Sequence, residues 1–240
     1  IGKITKAMKM VAAARLRRAQ EKAAASRPYA IKIKEVLSNV VSDPSVLAGL
    51  DAKKHPLLQK REVQKVGYLV LCSDKGLAGA YSSNALKMAV AEISECEDEV
   101  VVITCGRKAR DFFTRRGFNV IQSHIGFSDR PTYENAVDIA QDAIKTFASE
   151  GFDKLNIVYT VFKTALSQIP TSEVILPVEP PVKEEGKAQA SFMFEPGEDD
   201  TLTVLAPKYL ETVVYAALVQ SAASELGSRM TAMSSATDNA

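Results

Sequence analysis

The residues best suited to hold a phosphate are Ser73-Asp74-Lys75-Gly76-Leu77-Ala78-Gly79-Ala80-Tyr81, a glycine loop between an apolar run and an amphipathic stretch. A dinucleotide site places G-x-G-x-x-G there, so that backbone can approach a pyrophosphate at a helix N-terminus. This loop offers only G-x-x-G, and it lacks the G-x-x-x-x-G-K-[ST] spacing of a phosphate loop. Asp74 would also set a negative charge beside any phosphate. The loop therefore argues against a bound nucleotide or another cofactor. Catalytic patterns are equally thin. His55 and His124 stand in no Ser/His/Asp or Cys/His arrangement, and Asp74, Asp111 and Asp138 read as surface charges. Cys72, Cys96 and Cys105 form no C-x-x-C pair, and zinc-type spacing is missing. Each cysteine reads as a small buried hydrophobe in a reduced, cytosol-facing protein. No residue is assigned to catalysis, to a cofactor or to a metal.

The remaining concentration of charge is basic. Lys3, Lys6, Lys9, Arg15, Arg17, Arg18, Lys22, Arg27, Lys32 and Lys34 face few acids in the opening segment. Such a face suits solvent, the phosphates of a nucleic acid or an acidic protein partner. No aromatic residue precedes Tyr29 to stack on bases. The residues alone leave all three open.

These groups must be positioned by two long helices and an alternating middle. In residues 1–41, Ala12, Leu16, Ala19, Ala23, Ser26, Ala30, Ile33, Leu37 and Val40 recur at steps of four and three, the seam of a coiled coil. Ile1, Ile4 and Met8 extend the seam with a local change of winding. Such a helix is about 60 Å long at ~1.5 Å per residue, and Pro28 should kink it near Ala24. The last segment is expected to start at Pro207, a good first helical residue. Its seam is Ala216, Val219, Ala223, Leu226, Met230, Met233, Thr237 and Ala240. Neither helix is capped at its outer end, which predicts a piece truncated at both ends. Run antiparallel from Ala30 and Pro207, equal rise sets Met8 beside Arg229 and Met230, Ile4 beside Met233, and Leu16 near Ser221.

Between the helices, strands are expected at Val66–Cys72, Glu99–Cys105, Phe118–Ser123 and Leu155–Phe162, and helices at Ser83–Ser94, Arg107–Arg116 and Thr132–Glu150. The alternation predicts an α/β fold with a Rossmann-like, mostly parallel sheet. Ile169–Val178, with Pro170 and Pro177, suits an edge strand. Ser191–Glu195 is strand-like, and 179–190 reads as a mobile loop. The division is thus 1–41 with 207–240 as an antiparallel coiled coil, and 42–206 as an α/β foot. With 240 residues and 46% hydrophobic content the chain can build an ordinary core. A net charge of +1 excludes a polyanion binder of the whole-chain kind. The longest apolar run, Val66–Cys72, is far short of the ~20 residues of a spanning helix, and the start lacks signal-peptide features.

Three stretches carry a resemblance. Ile4-Thr5-Lys6-Ala7-Met8-Lys9-Met10-Val11-Ala12-Ala13, followed by Ser26-Arg27-Pro28-Tyr29, resembles the opening of the ATP synthase gamma family. Ser73-Asp74-Lys75-Gly76-Leu77-Ala78-Gly79 is similar to that family's glycine loop. Ala223-Ser224-Glu225-Leu226-Gly227-Ser228-Arg229-Met230-Thr231-Ala232-Met233, with Ala236-Thr237-Asp238-Asn239-Ala240, looks like its C-terminal signature. The resemblance implies a non-catalytic rotor shaft inside a ring of alpha and beta subunits. Its foot would rest on a membrane c-ring, hold the epsilon subunit and couple ion flow to ATP synthesis or hydrolysis. It implies that Met8, Lys9, Lys75 and Arg229 contact an acidic lever of a beta subunit, and that Phe194 and Glu195 face the c-ring or epsilon. It also implies a peripheral location on the cytoplasmic face of a bacterial plasma membrane, since the three cysteines do not reproduce the chloroplast-type regulatory pair. The competing readings are an α/β cofactor-binding enzyme and a basic coiled-coil nucleic-acid-binding protein.

Overall fold

The computed structural model describes residues 1–41, 48–49, 53–179 and 197–240. The expected strand Ser191–Glu195, with Phe194 and Glu195 in it, lies outside the described residues, as does the expected loop apart from Glu179.

The first helix, α1, runs Gly2–Val41 and continues through Pro28. After a short 3-10 turn at Pro56–Leu58 come β1 (Lys65–Leu71), α2 (Tyr81–Glu95), β2 (Glu99–Cys105), α3 (Arg107–Arg115), β3 (Val120–His124) and α4 (Tyr133–Ala148). They are followed by β4 (Lys154–Thr164), β5 (Ser167–Leu176) and α5 (Glu198–Asp238). The expected start at Pro207 is corrected: α5 begins well upstream, and Pro207 lies inside it. The reason is burial. Leu202, Ala206 and Leu210 recur every fourth residue and are almost fully enclosed. That packing offsets the ~3 kcal/mol that an internal proline costs a helix.

The sheet has the order β3-β2-β1-β4-β5. β1 pairs parallel with β2 and β4, β2 pairs parallel with β3, and β5 closes the edge antiparallel to β4. Alternation along β1 explains the layers. Leu69 and Leu71 join the core beneath α4 and α5, with Ile103, Ile157, Ile139 and Phe147. Val66, Tyr68 and Val70 face the opposite way, packing with Ala85 and Leu86 of α2 and Phe113 of α3. A strand buried on both faces reads as a continuous apolar run, which is why β1 is legible in sequence. Thr132 caps α4 by accepting from the Asn135 amide, while Asn135 reaches back to the Thr132 N–H.

α5 is the most widely packed helix among the described elements. It packs on α1, α4, β4, α2 and β5, whereas α1 makes comparable contact with α5 alone among the described elements. Its stretch Asp200–Asp238 is long and apolar enough to cross a membrane by composition, and half of that most apolar window is buried inside the molecule. Enclosure on several sides accounts for an all-round apolar helix.

Candidate functional site

The two long helices run antiparallel. Thr5 and Thr237 share a hydroxyl hydrogen bond of 2.8 Å, Lys9 Nζ donates to Ser234 Oγ at 3.0 Å, and Gly2 lies against Ala240. Deeper in, Ala12, Leu16 and Ala19 pack with Ala223 and Leu226. Small residues let the two backbones approach, and Leu16 fills the space they leave. Three seam expectations are corrected. Ile1 and Ile4 are 91% and 66% exposed, so the seam leaves Ala12 through Met8 and Thr5, keeping its steps of four and three. Ala216 is exposed as well. The register also differs: Thr5, not Ile4, sits in the seam there, and it meets Thr237, whereas equal rise places its neighbour Ile4 beside Met233. The offset is five residues, about 7.5 Å at ~1.5 Å per residue. Equal rise was counted from Ala30 and Pro207, but both helices continue past those residues into the core of the foot.

At the C-terminal ends of the parallel strands, Asp74 is not the plain surface charge that its sequence context predicts. Its Oδ1 accepts the Arg107 N–H at 3.1 Å, and its Oδ2 accepts those of Gly126 and Ser128 at 2.9 and 3.0 Å. One carboxylate thus ties together the loops that follow β1, β2 and β3, and it sits at the N-terminus of α3, where negative charge is favoured. Gly106 permits the approach: at φ 97°, any Cβ there would lie 2.1 Å from the Cys72 carbonyl oxygen.

In a doubly wound sheet the ligand crevice lies where the strand order reverses, here between β1 and β4. α5 fills that place. Ser224 Oγ donates to the Thr160 carbonyl at 3.1 Å, and Ser228 Oγ donates to the Ala78 carbonyl at 2.7 Å. Gly79 of the glycine loop is pressed so closely on Ser228 that a Cβ would meet its Oγ at 2.9 Å. The loop that resembles a phosphate cradle is a seat for a helix.

Beside that seat is a cleft of about 630 Å³ between α1, the glycine loop and α5. Met8 and Val11 line one wall, Lys75 and Leu77 the second, and Leu226 and Arg229 the third. Met8, Lys75 and Arg229 therefore line one cleft. Lys9 points elsewhere, to Ser234. The three differ in character. Lys75 is exposed, Met8 is half-buried, and Arg229 is 8% exposed and engaged internally. Arg229 Nη2 donates to Glu225 Oε1 at 2.8 Å and to the Gly76 carbonyl at 3.3 Å, fastening the loop to α5. Glu225 is fully enclosed, and one of its oxygens, Oε2, finds no hydrogen-bond partner within normal distance among the described residues. Burial pushes its carboxyl above the ordinary range, with Arg229 pulling it back. Arg15 of α1 pairs with the nearly buried Asp129 next to this group.

Glu225 and Asp129 were missed by sequence reasoning. The spacing of Glu225 and Arg229, four apart on a helix, was the available signal for the first. For Asp129 the sequence offers none, since its partner Arg15 is remote. Elsewhere, Cys72 and Cys105 are buried, and burial pushes the Cys72 thiol up to about 12, so both act as core residues. Cys96 is half-buried. Among the described residues no three metal-ligating side chains cluster.

A family model described as ATP synthase matches residues 1–240. The ATP synthase gamma chain of Brevibacillus brevis is 46% identical over 240 residues, spanning 99% of this chain and 81% of the relative. That of Desulfitobacterium hafniense is 43% identical over 237 residues, with the same coverage. Among solved structures, a chain from the central stalk/c-ring of Tetrahymena thermophila mitochondrial ATP synthase superposes with a TM-score of 0.71 at 24% identity. It covers 97% of this chain and 99% of that one. A chain from the Euglena gracilis mitochondrial ATP synthase rotor gives 0.52 at 15% identity, covering 93% and 91%. Both are likenesses of fold.

Proposed function

The chain belongs to the ATP synthase gamma-chain family, and from that premise we propose how its parts are used. It is the central-stalk rotor subunit of an F-type ATP synthase, a non-catalytic subunit that works in the complex together with the c-ring and is membrane-associated through it. The paired helices, 1–41 with 207–240, form the shaft inside a hexamer of alpha and beta subunits. The foot, 42–206, rests on the c-ring and holds the epsilon subunit, with Phe194 and Glu195 on that side. Ion flow turns the c-ring and the shaft with it, on the cytoplasmic face of a bacterial plasma membrane.

The coupling contact is the cleft. An acidic lever of a beta subunit lies over Met8 and Lys75, with Lys9 close by on the same helix. Arg229 acts from beneath, holding Gly76 and hence Lys75 in place. The observation that carries this reading is that residues far apart in sequence meet at one apolar cleft with a lysine at its rim and no partner for that lysine among the described residues. Most of the basic α1 face is exposed and without fixed bidentate partners, which suits attraction to successive acidic levers without a lock.

The test is cross-linking in the complex assembled with alpha and beta subunits. Lys75→Cys should bridge to a cysteine placed in the beta lever, in one beta subunit at a time. Absence of that bridge, with bridging instead from the opposite face at Arg17→Cys, would reject the cleft as the contact.

A further inference from the structure

β4 outruns its neighbour. The β1–β4 pairing ends at Val70 with Val158, yet β4 continues to Thr164. A strand edge inside a protein must find partners for its N–H and C=O groups. Thr160 lies opposite Pro170 in β5 and turns its own N–H and C=O to the vacant edge.

There α5 takes the place of a strand. Ser221 Oγ accepts the Thr160 N–H at 3.2 Å, Ser224 Oγ donates to the Thr160 carbonyl at 3.1 Å, and Gln220 Oε1 accepts the Phe162 N–H at 3.0 Å. Thr231 Oγ1 continues the row to the Ala165 carbonyl at 3.0 Å. On the next face, Ser228 and Arg229 hold the glycine loop through the Ala78 and Gly76 carbonyls. Gly227 brings the surfaces together: a Cβ there would lie 3.0 Å from the Phe162 ring. α1 in turn meets the foot at Arg15–Asp129 and at Lys22 to the Pro131 carbonyl. Near its C-terminal end Leu37, Val40 and Val41 enter the apolar core.

We propose that torque crosses between foot and shaft through this joint, with α5 as the driven helix and α1 following it through the seam. The inference rests on the rotor reading and adds to it the load path. The physical basis is directionality. Hydrogen bonds fix distance and angle, so a row of them along an open strand edge resists rotation of a helix about its axis. Apolar contact between helices is non-directional and yields more readily to sliding. Ser221, Ser224 and Gln220 are positioning residues in this sense: the two serines are buried against β4, Gln220 is half-buried beside them, and together they set the angle of the shaft.

The experiment measures angular fluctuation of a bead fixed to the foot, in the surface-held complex with alpha and beta subunits, without ATP. Ser221→Ala with Ser224→Ala removes two of the four bonds in the row. If those bonds act equally and in parallel, the angular variance rises roughly twofold. Asp129→Asn, which breaks the Arg15 pair from the foot side and leaves the basic face of α1 intact, should leave it unchanged, even where the two variants lower the melting temperature equally. Should the double serine variant fail to assemble, Ser221→Ala alone must still widen the variance. Equal variance in both variants, or wild-type variance in the serine variant, overturns the proposal. A wild-type complex that never rotates when ATP is supplied would instead count against the rotor reading itself.

Discussion

Arg229→Leu isolates the buried pair beneath the cleft. Glu225 is 0% exposed and Arg229 8%, so removing the guanidinium leaves a carboxylate enclosed with neither of its oxygens paired to a cation. Breaking a buried ion pair from one side costs about 3–5 kcal/mol, a large part of the ~5–15 kcal/mol that holds a typical domain. The cost should also depend on pH. The Glu225 carboxyl is already raised by burial, and loss of Arg229 raises it further. Above the unfolded carboxyl value of about 4.3, the folded state then binds more protons than the unfolded one, so stability falls as pH rises. The deficit of Arg229→Leu is therefore greatest at neutral pH and shrinks in mild acid. Adding Glu225→Gln to Arg229→Leu removes the charge and should restore most of the loss. Lys75→Gln, at an exposed residue without a partner among the described residues, should stay within about 0.5 kcal/mol of wild type. Urea unfolding of the chain, followed by circular dichroism at neutral and mildly acid pH, gives all four values. An Arg229→Leu deficit below about 1 kcal/mol at neutral pH, or no recovery in the double variant, would refute the argument.

Two further outcomes test the seam and the sheet edge. Thr5→Cys with Thr237→Cys should form a disulfide under mild oxidation, while Ile4→Cys with Met233→Cys should not; non-reducing electrophoresis separates the two registers. His124 has its pKa lowered by burial, with Asp142 and Asp138 pulling the other way. Below the unfolded histidine value of about 6.5 the unfolded state binds the proton more readily, so stability is lost as pH falls. His124→Gln should flatten that loss between about pH 6.5 and 5, as read from melting temperatures; an unchanged slope would contradict it.

Much of this architecture is legible in sequence because apolar periodicity is a local signal. The α1 seam at Ala12, Leu16, Ala19, Ile33, Leu37 and Val40 is buried where its spacing predicts, and β2 spans Glu99–Cys105 as expected. Other features depend on what packs on them. Pro207 read as a helix start because the local rule for proline is strong, and only the enclosure of Leu202 and Ala206 overrides it. Asp74 read as a surface charge because its three amide donors come from loops remote in sequence. Ser221 read only as a neighbour of Leu16 and Ser224 only as part of a motif; their hydroxyls matter because β4 outruns β1, a fact of sheet registry. At the cleft, the grouping of Met8, Lys75 and Arg229 came from motif resemblance. The burial of Arg229 could not have been read that way, since a helical arginine is exposed by default.

The central claim is that this chain is a rotor, and rotation tests it most directly. A bead is fixed to the foot through a cysteine at exposed Lys108, and the complex with alpha and beta subunits is held on a surface and supplied with ATP. The account predicts stepwise, one-way turning of the foot that stops when ATP is withdrawn. ATP hydrolysis by a complex containing this chain while the foot stays fixed, or swings both ways without bias, would contradict it.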